Sequence, residues 1–204
     1  MGYYNAGFTP VGVDLDPQPN YPFEFHQGNA LDYDLTGFDL IHASPPCPLF
    51  SSATPESHKQ NHQDLITPIR PLLRHSNTPY IIENVPGSPL QNPITLCGSS
   101  FGLNIRRHRL FESSLPLIPL PCVHAWQLPH FDQRNRPMKV HLIGGSGGKD
   151  AQYHWGRAMD ITWMTRYEVK DAVPPAYTRF LGAQALAWLL HHKHYTYTLE
   201  EVGN

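Results

Sequence analysis

Four short apolar runs, each halted by polar or turn-forming residues, set the rhythm of the first half of the chain. They cover residues 9–14, 22–26, 38–43 and 80–82. Runs of this length bounded by Pro, Gly, Asn and Asp predict strands. The first ends at Asp14 and the second stops shortly before Gly28-Asn29. The third runs into Pro45-Pro46-Cys47, and the fourth delivers Glu83-Asn84-Val85-Pro86. Between the third and fourth, Leu65, Ile66, Ile69, Leu72 and Leu73 recur at helical spacing and predict a crossover helix over 64–73, which Pro68 and Pro71 are expected to kink or interrupt. The polar stretch 51–63, with His58 and His62, reads as a solvated loop. Strands joined through a helix point to an α/β fold.

The second half is punctuated differently. Pro116, Pro119, Pro121, Pro129 and Pro137 mark 114–138 as an excursion between strands. The strand-like run 140–143 leads into Gly144-Gly145-Ser146-Gly147-Gly148-Lys149, which lacks the glycine-to-lysine interval of a phosphate loop and has Asp150 where a magnesium-binding hydroxyl belongs. Thr165 and Glu168 form a capping box, Pro174-Pro175 should stop that helix, and Phe180, Leu181, Gln184, Ala185, Trp188 and Leu189 predict a further one ending at His191, His192 and His194. Three segments follow: a lobe over 1–112, an insertion over 113–153 and a helical segment over 154–204 whose apolar faces are core material.

Composition narrows the picture. The chain has 204 residues, enough for one core with a small appendage, and its 21 prolines and 16% charged residues indicate a loop-rich surface. A net charge of −2 disfavours non-specific nucleic-acid binding, so contact with DNA would need a local basic face. Cys47, Cys97 and Cys122, odd in number and without a secretory segment before them, suggest a reducing cytoplasm. No apolar stretch reaches membrane-spanning length.

The candidate chemistry starts from a cysteine at a strand end, where open α/β sheets place their sites. With Glu83 at a second strand end and Arg107 and Arg109 at alternate positions, the chain offers a nucleophile, a proton donor and two cationic forks. That set suits attack on an electron-poor heterocycle. The order Pro45-Pro46-Cys47-Pro48-Leu49-Phe50-Ser51, Glu83-Asn84-Val85 and Ile105-Arg106-Arg107-His108-Arg109 resembles the carbon-5 cytosine DNA methyltransferases, and the segment after Pro174-Pro175-Ala176-Tyr177 resembles the C-terminal end of their small phage-type members, where it packs back on the catalytic lobe. Their motifs are Pro-Pro-Cys-Gln-x-Phe-Ser, Glu-Asn-Val and Gln-x-Arg-x-Arg. Pro48 and Ile105 depart from the pattern, which has glutamine at both places.

The resemblance implies a Rossmann-like methyltransferase fold, S-adenosylmethionine as cofactor and double-stranded DNA as partner. Cys47 would add to carbon 6 of a flipped cytosine, Glu83 would act on ring nitrogen 3, Arg109 would hold the base oxygen, and Arg107 would orient Cys47 or the base. Asp14, Asn29 and Pro45 would meet the cofactor. Asn84, Ser51, Arg134 and Arg136 would serve the substrate side, Asn84 also bracing its motif, and 113–153 would be a small target-recognition region whose Lys139 and Lys149 could also touch phosphates. From the residues alone, Asp14 and Asn29 read equally as turn residues, and the basic side chains as solvated. The family's first strand and glycine turn have no counterpart here, so a central strand is expected to be missing.

Two rival functions carry over: an inactive DNA-binding remnant, and a cysteine-dependent hydrolase with His42 as base. A metal site is not expected. Cys122 and His124 supply two ligand types, but with Cys97 and His130 they make no evident four-ligand set, and His58 and His62 lack partners.

Overall fold

The computed structural model describes residues 1–124, 130–131, 137–138 and 151–202. The chain is mixed α/β. In order it forms α1 (Gly2–Asn5), β1 (Val11–Asp14), β2 (Glu24–Gln27), β3 (Ile41–Ala43), α2 (Glu56–Lys59), α3 (Ile66–His75), β4 (Tyr80–Asn84), β5 (Ile94–Leu96), a 3-10 turn (Gly98–Phe101) and β6 (Arg109–Ser113). Then follow β7 (His130–Phe131), β8 (Pro137–Met138), α4 (Ala151–Met159), α5 (Arg166–Val169) and α6 (Pro175–Val202). The main sheet has the order β3-β4-β6-β5, with β3 and β4 parallel and the other neighbours antiparallel. β1 and β2 form a separate parallel pair, and β7 and β8 an antiparallel one.

β4 explains the layering. All five of its residues are buried, as a central strand covered on both faces requires. Ile81 packs with Leu96, Phe111, Tyr177 and Leu181 on the α6 side. Tyr80 and Ile82 point the other way, onto Ile69 and Leu73 of α3. Each such side chain withdrawn from water contributes roughly 1.5–3 kcal/mol. Helix α3 begins where the Asp64 carboxylate accepts the Ile66 and Thr67 N–H groups at 2.8 and 3.2 Å. Pro68 falls in the first turn, which has no use for its missing donor. Pro71 does not interrupt the helix, contrary to expectation: α3 continues to His75. Burial of Ile66, Ile69 and Leu73 outweighs the one backbone bond that Pro71 cannot make. Arg70, on the same helix, clamps Glu112 of β6 with two bonds of 2.8 and 2.9 Å.

The C-terminal region packs back on this frame. The capping box of Thr165 and Glu168 is formed, and Asn20 donates to Glu168 at 3.0 Å. Pro175 opens α6 at the position where a proline costs least. Contrary to expectation, the helix does not end at His194 but runs to Val202. Its start meets α1 closely: a Cβ on Gly182 would stand 2.8 Å from Ala6 Cβ. Ile105, the departure from the glutamine motif, is fully buried with Trp155, Met159 and Val169. Its apolar character serves the core that α4 and α5 complete.

Sheet hydrogen bonding stops between β1 and β3. A cavity of about 330 Å³ lies there, lined by Val11 and Val13 of β1 and by Ile41 and Ala43 of β3. Among the described residues, no helix is long and apolar enough to cross a membrane. The expected strand 140–143, the glycine-rich loop after it, and Arg134, Arg136, Lys139 and Lys149 lie outside the described residues.

Candidate active site

Because β3 and β4 are parallel, with Ala43 opposite Ile82, their carboxyl ends open on one edge and bring the Cys47 turn beside Glu83. The turn is held from within by the Phe50 and Ser51 N–H groups, both donating to the Cys47 carbonyl at 3.0 Å. It is held from outside by Asn84, whose Nδ2 donates to the Pro45 carbonyl at 2.8 Å while its Oδ1 accepts the Val85 N–H at 2.9 Å. Asn84 is only 1% exposed. Its amide is therefore spent on the protein backbone, which corrects the expectation that it meets substrate and keeps its bracing part.

The antiparallel pairing of β4 with β6 sets Glu83 opposite Phe111, within reach of the first residue of β6. Arg109 Nε meets Glu83 Oε1 at 2.9 Å. Arg107 is buried, with Nη2 donating to the Lys170 carbonyl at 2.8 Å and its own carbonyl accepting from Tyr177 Oη at 2.6 Å. Its Nε has no partner among the described residues. Burial and the neighbouring Arg109 bring its pKa down to about 10. A cavity of about 400 Å³ is lined by Cys47, Ser51, Arg107, Arg109, Val85 and Asp171, among others. Three sequence motifs thus share one hollow.

Burial dominates the electrostatics. It pushes the Glu83 carboxyl above its usual range against the opposing pull of Arg109, a Ser44 hydrogen bond and Arg107. It also pushes the Cys47 thiol up, with Arg109 the main influence in the other direction and Glu83 and Asp171 adding to the rise. Glu83 is the end of a polar chain that no local pattern announced. Tyr3 Oη lies 2.7 Å from His42 Nδ1, His42 Nε2 lies 3.0 Å from Ser44 Oγ, and Ser44 bonds Glu83. Burial lowers the His42 pKa to about 4 and keeps the ring neutral. With both nitrogens engaged, His42 is a support for Glu83 rather than a base for Cys47. Tyr3, Tyr177 and Asp171 carry no signal in the sequence because only long-range packing brings them here, whereas Ser44 directly precedes Pro45 and could have been found beside the motif.

Asp14, Asn29 and Pro45 line the other cavity, between β1 and β3. Asp14 and Asn29 also perform the turn roles open to them: Asp14 Oδ1 accepts the Asp16 N–H at 2.9 Å, and Asn29 Oδ1 accepts the Leu31 N–H at 3.1 Å. Both side chains remain exposed. The Pro45-Pro46-Cys47 turn therefore lies between two hollows, Pro45 lining one and Cys47 the other. Compared with known proteins, the chain matches no protein-family model and no curated protein.

Proposed function

We propose that the chain is a DNA (cytosine-5-)-methyltransferase in which Cys47, Glu83, Arg107 and Arg109 act on a cytosine flipped into the 400 Å³ cavity. The observation that carries this reading is the meeting of Cys47 with both motif arginines in one cavity, with Glu83 paired to Arg109 at its wall. Burial pushes the Glu83 carboxyl upward, toward the protonated form that can share a proton with ring nitrogen 3. That makes carbon 6 electrophilic enough for the Cys47 sulfur to bond to it as the thiolate, the form that Arg109 favours, with the thiol proton passing to solvent. Carbon 5 gains the electrons and becomes the nucleophile.

S-adenosylmethionine, when bound, supplies the electrophilic methyl. The residues of the first cavity fit its nucleoside end: Asp14 offers a carboxylate for hydroxyls, Asn29 an amide, and apolar Leu31 and Phe38 a surface for a ring. After methylation carbon 5 gives up its hydrogen as a proton, and the bond to Cys47 breaks with its electrons returning to sulfur. Arg109 balances the developing negative charge on the ring.

The experiment is covalent trapping. DNA carrying 5-fluorocytosine, incubated with the protein and cofactor, should give an irreversible adduct, because fluorine at carbon 5 cannot leave as a proton. Cys47→Ser should abolish it, whereas Cys97→Ser and Cys122→Ser should not. An adduct that persists in Cys47→Ser removes Cys47 from the mechanism. Retention on DNA with no adduct and no methyl transfer favours the inactive remnant. The hydrolase reading loses its support because His42 is bound by Tyr3 and Ser44.

A further inference from the structure

Beside the arginine motif two thiols and two imidazoles converge, and one of the imidazoles, His108, also lines the 400 Å³ cavity. Cys97, His108, Cys122 and His124 each aim one ligand atom at a common point, and these four atoms all lie within 4.8 Å of one another. We propose that they bind a zinc ion as a closed, structural Cys2His2 site, which ties the proline-rich segment to the strand bearing Arg107 and Arg109.

The fold supplies the four ligands from three directions. Leu96 of β5 lies opposite Arg109 of β6, so in this antiparallel pair Cys97 and His108, one step beyond, fall opposite each other. The chain then turns sharply through Gly98, where a Cβ would strike the Ile105 carbonyl. Cys122 and His124 arrive from the segment after β6, and that approach is pinned: Ser100 Oγ donates to the Pro121 carbonyl at 2.8 Å. In the sequence, Cys97, Cys122 and His124 taken with His130 made no evident four-ligand set. The fourth member is His108, concealed inside the Arg107-His108-Arg109 motif.

The distances come close to those of a tetrahedral metal site. A tetrahedral zinc with Zn–S about 2.3 Å and Zn–N about 2.0–2.1 Å has ligand-to-ligand edges of about 3.3–3.8 Å. Cys97 Sγ is 3.4 Å from His124 Nε2, and His108 Nε2 is 3.4 Å from Cys122 Sγ. The Cys122 Sγ to His124 Nε2 distance is 2.9 Å and needs only to open. Cys122 Sγ is the focus of the cluster, met by Ser99 Oγ at 3.5 Å as well as by the two imidazole nitrogens.

Two thiolates and two neutral imidazoles suit a d10 divalent ion that takes S2N2 tetrahedra, and the two thiolates cancel its charge. Binding releases the two thiol protons. Four protein ligands leave no open position, so the ion is structural and not catalytic. Ser99 Oγ, against Cys122 Sγ, gives the kind of outer support that fixes a ligand's orientation.

The test uses the full chain expressed with zinc in the medium. About one zinc per chain should survive dialysis and be released when thiols are blocked by mercurial reagent. Cobalt added to the stripped protein should give the visible bands and thiolate charge-transfer absorption of a tetrahedral S2N2 site. Cys122→Ser and His124→Asn change surface-side ligands and should each lose the metal, whereas Cys47→Ser should keep it. Ser99→Ala should bind roughly tenfold more weakly. Metal-free wild type that fails to take up cobalt overturns the proposal, as does full zinc retention in both ligand variants. A Cys97–Cys122 disulfide in protein prepared under reducing conditions overturns it as well. Each readout is independent of any activity on DNA.

Discussion

Asn84 and Pro45, separated by 39 positions in the chain, are joined by a 2.8 Å hydrogen bond from the Asn84 amide to the Pro45 carbonyl. That bond fixes the Cys47 turn to the strand that carries Glu83. Asn84→Ala strips a partner from the Pro45 carbonyl and another from the Val85 N–H, and each buried group left unmet costs about 1–3 kcal/mol. Urea unfolding should show a loss of about 2–6 kcal/mol for the two together. Alkylation of Cys47 should also accelerate, because the turn that half-buries it is released; an unchanged rate would mean the turn holds itself.

Arg109 is the main influence drawing the Cys47 thiol downward. Arg109→Gln should therefore move the pH midpoint of Cys47 alkylation upward and slow the reaction near neutrality. The control is Cys47→Ser, which isolates any contribution from Cys97 and Cys122. A midpoint that stays put would show that the field of Arg109 does not reach the sulfur.

Glu83 makes stability depend on pH with a definite sign. Its carboxyl is raised in the folded protein by burial, so above the unfolded-state pKa the native form binds more protons than the unfolded form. Its contribution is intact at acid pH and is lost as pH rises through the raised value. Glu83→Gln, neutral at every pH, should gain in melting temperature relative to wild type from acid toward neutral pH. The opposite slope would mean that Arg109 holds Glu83 ionised and that it cannot serve as a proton donor.

The Arg70–Glu112 clamp is buried at both ends, with side chains 10% and 4% exposed. Glu112→Gln leaves Arg70 without its counter-charge, and the expected loss is about 3–5 kcal/mol, read from chemical denaturation. Replacing both, Arg70→Met with Glu112→Leu, should recover most of it, since the desolvation of two charges disappears with them. A double variant as weak as the single one would show that Arg70's further bond to the Pro89 carbonyl dominates.

The local pattern was enough for the strands at β1 to β4, for α3 and for the capping box of α5, because each is written in adjacent residues: apolar runs, helical spacing, Thr165 with Glu168. β5 and β6 were harder to read. Ile94–Leu96 is only three residues long, and β6 begins with Arg109 and contains Glu112, charges that settle in a sheet only because Glu83 and Arg70 stand ready to pair with them. Pro71, expected to kink or interrupt α3, lies inside it, and burial of the helix's apolar face offsets the missing backbone bond. Chemical identity at Cys47, Glu83, Arg107 and Arg109 was legible in the motifs. That they line or border one hollow was decided by the parallel β3–β4 pairing and the antiparallel return of β6. His108 shows the division most clearly: in the sequence it is a spacer between two arginines, and only the β5–β6 register, with the return of the chain through Pro121, sets its imidazole among Cys97, Cys122 and His124. Spacing along the chain encodes local geometry, whereas contacts between distant segments depend on which apolar faces bury each other, and that is settled by the fold as a whole.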